Sequence, residues 1–99
     1  MTIMGTKNNT FQIDSRLQQA ARGDSEAWFD LGMVFSTGSA GLDVDLIAAH
    51  KWFNLAALNG NLRAQECRAE IADFMSAVEI SEAQKQARAW LRETGNRLN

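Results

Sequence analysis

Asp45-Leu-Ile-Ala-Ala-His-Lys-Trp-Phe-Asn-Leu-Ala-Ala-Leu-Asn-Gly60 is the most apolar long run in the chain, and it carries both the start and the stop of one helix. Asp43 and Asp45 supply carboxylates for an N-cap and first turn, and Asn59-Gly60 supplies the left-handed residue that ends a helix. Between them Ala49, Trp52, Phe53, Ala56 and Ala57 follow the spacing of a single helical face. Ile47, Leu55 and Leu58 widen that stripe, which predicts more than one neighbour packed on this helix. Leu55 and Leu58 are surplus to a single contact, so either the C-terminal helices or a second chain must cover them.

The rest of the chain repeats the pattern. Residues 11–22 place Ile13, Leu17, Ala20 and Ala21 on one face and end at Gly23. Asp24 or Ser25 caps a second helix to about Thr37, with Ala27, Leu31, Val34 and Phe35 at helical spacing. Gly32 lies inside it, where glycine costs about 1 kcal/mol relative to alanine, so its use is to let another helix approach closely. Asn61 caps a fourth helix to about Met75, with Ala64, Cys67, Ile71 and Phe74 or Met75 inward. Ser76-Ala-Val-Glu79 has capping-box form and opens a fifth, to about Thr94, with Ile80, Ala83, Ala87, Trp90 and Leu91 inward and Gly95 as its stop.

Composition agrees. The 99 residues hold no Pro and no Tyr, are 45% hydrophobic and 22% charged, and fit one soluble all-α domain of about five helices. Residues 1–9 read as a disordered lead-in and 10–99 as the domain. A net charge of −2 argues against nucleic-acid and acidic-membrane surfaces, and no span approaches the length of a membrane helix. The single Cys67 cannot form an internal disulfide, which points to a reducing cytoplasm. Acidic residues crowd Asp24 to Asp45, whereas Lys85, Arg88, Arg92 and Arg97 make the C-terminal end basic. Helix-dipole complementation explains this, and so does a charge-complementary contact with a second copy or another protein.

An internal repeat is visible in Leu17 to Ala27 and Phe53 to Ala64, which share Ala-Ala, a Gly stop and an Ala four residues beyond it. Gly23 and Gly60 stand 37 residues apart, a period typical of α/α solenoids. The details are closer still. Ala27, Phe29, Leu31, Gly32, Phe35, Gly38, Gly41, Asp45, Ala49, Trp52, Phe53, Ala56, Ala57 and Gly60 occupy, in order, the places of a Sel-one-like repeat, a relative of the tetratricopeptide repeat, which this stretch resembles. The resemblance covers one full repeat, residues 25–60, and the tail of a preceding one. It implies an α/α superhelical fold built from helical hairpins. Glu66-Cys-Arg-Ala69 departs from the repeat pattern, so residues 61–94 are expected to cap the open end.

Chemistry-bearing residues are few. His50 is the only histidine and is expected on the polar side of its helix, so neither a metal site nor a catalytic triad is predicted, and no cofactor is implied. Cys67 fits a small buried hydrophobe better than a reactive thiol. The resemblance implies a non-enzymatic adaptor that receives a peptide or helix of another protein on its concave face. On that reading Trp28, Asp30 and Met33, with His50 and Asn54 on the neighbouring helix, are the candidate contacts. Trp28 either packs against the preceding helix or is presented outward as an anchor. A structural homodimer is the alternative. A hydrolase of the penicillin-binding Sel-like type is a third, but that branch is stapled by disulfides this chain cannot make.

Overall fold

The computed structural model describes residues 13–39 and 41–96, so the proposed lead-in at 1–9 lies outside the described residues. Five helices and no strand are found among them. Helix α1 covers residues 13–21, followed by α2 (Ser25–Thr37), α3 (Leu46–Leu58), α4 (Leu62–Ala72) and α5 (Ala77–Thr94). The all-α class and the helix count follow the sequence closely, and none of these helices is long and apolar enough to cross a membrane.

Each boundary has a local chemical cause. Asp24, Asp45 and Asn61 accept hydrogen bonds from the backbone N–H groups of Glu26 (3.0 Å), Ala48 (3.0 Å) and Ala64 (2.9 Å), satisfying donors that a helix start leaves orphaned. Ser76 and Glu79 form the full reciprocal capping box, at 3.1 and 2.8 Å. Gly38 closes α2 with φ 73°, a left-handed conformation that costs other residues about 1 kcal/mol or more, and its N–H donates to the Val34 carbonyl at 2.9 Å. Helix α4 stops at Ala72, three residues short of the expected end. Phe74 therefore lies beyond the helix, off its inward stripe, and is 82% exposed.

Helix α3 is the hub, packing extensively against α2, α4 and α5. Toward α2, the Phe53 ring lies over Gly32 and meets Phe29 at 5.7 Å between centroids. Toward α5, Trp52 meets Trp90 edge-on at 5.2 Å, and Trp90 meets Trp28 of α2 at 5.6 Å and 88°. Leu55 is fully buried, so the molecule itself covers one of the two surplus leucines; Leu58 stays 52% exposed. Complete burial of a large apolar side chain contributes about 1.5–3 kcal/mol, so Trp28, Leu31, Phe53 and Leu55 supply a large share of what holds so small a domain together.

Helices α2 and α3 form the hairpin that the repeat pattern predicts. Helix α5 does not pair along α4, its predecessor, but returns to α3. Just past its end, Asn96 donates from Nδ2 to the Ala21 carbonyl at the end of α1, 2.9 Å away, which joins the two ends of the described chain. A superhelix is defined by the rotation from one hairpin to the next, and a single α2–α3 hairpin with flanking helices does not define one. In α1 the inward residues are Ile13 and Ala20; Leu17 is 40% exposed and Ala21 is exposed, contrary to the expected stripe. Among the described residues the short helix has neighbours on a narrower arc than four inward residues would require.

Candidate functional site

The five candidate contacts do not form one surface. Trp28 is buried, 1% exposed, and its indole Nε1–H donates to the Ala20 carbonyl of α1 at 3.1 Å. Of the two placements open to Trp28, packing against the preceding helix is the one found, and presentation as an anchor is not. A buried indole needs an acceptor, and the end of α1 provides one while Trp90 closes the ring from the other side. Asp30, on the same helix, is half-exposed and accepts from Arg16 Nη1 of α1 at 2.7 Å. Met33 is half-buried against the core, and its carbonyl accepts from the Ser36 and Thr37 hydroxyls at 3.1 and 2.8 Å.

His50 and Asn54 come together on the α3 flank that faces α4. Asn54 Oδ1 accepts from Arg68 Nη1 at 2.6 Å. His50 does not lie on a polar surface: at 3% exposure it is the one buried polar side chain among the described residues, and its Nδ1 has no hydrogen-bond partner. Helix α4 covers the flank that a helical wheel of α3 alone leaves open. Burial pushes the imidazole pKa below its ordinary 6.5, the nearby Arg68 cation pushes it the same way, and the influence of its own backbone opposes both. The neutral ring is therefore the native form at neutral pH.

Other titratable groups are tuned by the same packing. Lys51 Nζ stands 4.7 Å from the centroid of the Trp52 ring, and burial lowers its pKa against the opposing pull of Glu93. Burial, assisted by Glu70, raises the Cys67 pKa, so this half-buried thiol keeps its proton and is a poor nucleophile. Arg63 lies over the Phe29 ring at 5.8 Å. Among the described residues, no three His, Cys, Asp or Glu side chains converge as a metal site.

Two features were not singled out from sequence. Arg68 donates to Asn54 and sets its charge near His50, and its spacing from Ala64 and Ile71 places it on the inner flank of α4, where a charged residue is unusual enough to be a signal. The second is a set of large apolar side chains left in solvent: Leu62 at 75%, Phe74 at 82%, Val78 at 78% and Val44 at 57%. Compared with known family models, characterised proteins and solved structures, the chain matches none.

Proposed function

We propose that the chain is a non-enzymatic protein-interaction module, a small helical scaffold that receives a peptide or helix of another protein. The observation that carries this reading is the exposure of Leu62, Phe74 and Val78 beside a core that is closed without them. Such side chains contribute little to the fold while exposed, and where they adjoin they offer apolar surface for another molecule to cover. The resemblance to Sel-like repeats supports the same class of function. Of the sequence candidates, Asp30, Met33 and Asn54 remain as polar and apolar contacts at the edge of the scaffold, whereas Trp28 and His50 are core residues. The free thiol of Cys67 suits a reducing compartment such as the cytoplasm.

A homodimer is the second reading, favoured by Leu58 and Leu62 on either side of the turn between α3 and α4. Light scattering separates the two. The module reading predicts a monomer at micromolar concentration, and affinity capture from the native cell in which Leu62→Ser with Phe74→Ser loses partners that the wild type retains. Equal recovery by both proteins overturns the choice of surface.

A further inference from the structure

The end of α2, the segment that leads into α3 and the start of α5 enclose an open cleft of about 460 Å³. Its apolar lining includes Phe35, Leu46 and Ile47, all half-buried, with Val44 exposed at the mouth. Three carboxylates, Asp43, Asp45 and Glu79, line the same cleft, and no Lys or Arg does. Among the described residues none of the three has an ion-pair partner. Capping explains Asp45 and Glu79 in part, since each gives one oxygen to a backbone N–H, at 3.0 and 2.8 Å. It does not explain Asp43, nor why all three surround an apolar hollow.

Building on the interaction reading above, we propose that this cleft docks a cationic amphipathic segment of another protein, with one apolar side chain seated on Phe35 and Ile47 and flanking Lys or Arg side chains against the carboxylates. Charge complementarity selects this occupant. An apolar anchor fills the hollow, and a basic flank answers three carboxylates that pair with no Lys or Arg among the described residues, whereas an acidic segment is repelled. The capping bonds hold Asp45 and Glu79 in place before binding, which reduces the entropy lost when the pairs form.

A fluorescein-labelled helical peptide with Leu along one face and Lys elsewhere tests this, beside a counterpart carrying Glu in place of Lys. Fluorescence anisotropy is expected to show binding of the Leu/Lys peptide that weakens as salt is added, and none of the Leu/Glu peptide. Asp43→Asn with Asp45→Asn and Glu79→Gln removes the charge but keeps groups able to cap, so the variant stays folded by circular dichroism. It should bind the Leu/Lys peptide about tenfold more weakly, the size expected of three partly exposed charge pairs. Equal binding by wild type and variant overturns the proposal, as does equal binding of the two peptides. Wild-type self-association that the same variant abolishes identifies the occupant as a second copy and also overturns it. None of these outcomes involves Leu62 or Phe74, so failure of the cleft and failure of the interaction reading are told apart.

Discussion

Gly32→Ala places two opposing effects in one methyl group. At an unobstructed mid-helix position, alanine stabilises by about 1 kcal/mol relative to glycine. Here an added Cβ would stand 2.5 Å from Cε1 and 2.9 Å from Cγ of Phe53, distances that real Cβ contacts essentially never show. The atoms it meets belong to a buried ring, 1% exposed and held on its other side by Phe29, so the clash is not relieved by the swing of a flexible chain end. Overpacking of this kind costs about 1–3 kcal/mol. The packing term wins at all but the bottom of that range, for a net loss of up to about 2 kcal/mol. In a domain of this size each kcal/mol lowers Tm by roughly 4–8 °C, so the melting point falls by up to about 16 °C. Thermal unfolding followed by circular dichroism at 222 nm measures it. In a Phe53→Leu background the same substitution should be neutral or stabilising, which gives a coupling of about 1 kcal/mol or more. A Gly32→Ala protein that melts above wild type would refute the close approach of α2 and α3.

Two further predictions concern the buried polar groups. His50 binds its proton less readily folded than unfolded, so the unfolded chain takes up more protons as pH falls below 6.5 and stability drops through that window; above it the stability is fully present. Urea unfolding from about pH 7.5 to 5.5 should show this decline in wild type and a flatter profile in His50→Leu, while an unchanged slope in the variant assigns the decline elsewhere. Trp28→Phe keeps most of the apolar volume but leaves the Ala20 carbonyl without its indole donor, at an expected cost of about 1–3 kcal/mol by chemical denaturation. No loss would mean that the indole hydrogen bond contributes nothing.

The helix ends were legible because they depend on residues within a turn of each boundary. Asp24, Asp45, Asn61 and the Ser76–Glu79 box cap the helices they were expected to cap. Gly32 was legible for a similar reason, since a mid-helix glycine has a local cost that only a close neighbour explains. Trp28, His50 and Leu17 were not, because their burial depends on which distant helix covers a given flank. A wheel of α3 assigns His50 to the open side, and only the arrival of α4 with Arg68 closes it. For Trp28 two environments were open, and the position of Trp90, far along the chain on α5, chooses between them. Of Phe74 and Met75, between which the helical period left the inward place open, Met75 is half-buried and Phe74 is exposed, because the helix ends at Ala72 before either. The contact surface was the least legible, because exposed apolar side chains become meaningful only once the rest of the core is known to be complete.

The most direct test of the interaction account is photo-crosslinking in the native cell, with a photoreactive phenylalanine analogue replacing Phe74 in one protein and Gln84, a polar exposed residue of α5, in another. The account predicts a discrete crosslinked species from position 74 that contains a second, different protein, and none from position 84. Crosslinks equally abundant from both positions, or none from position 74, would contradict it.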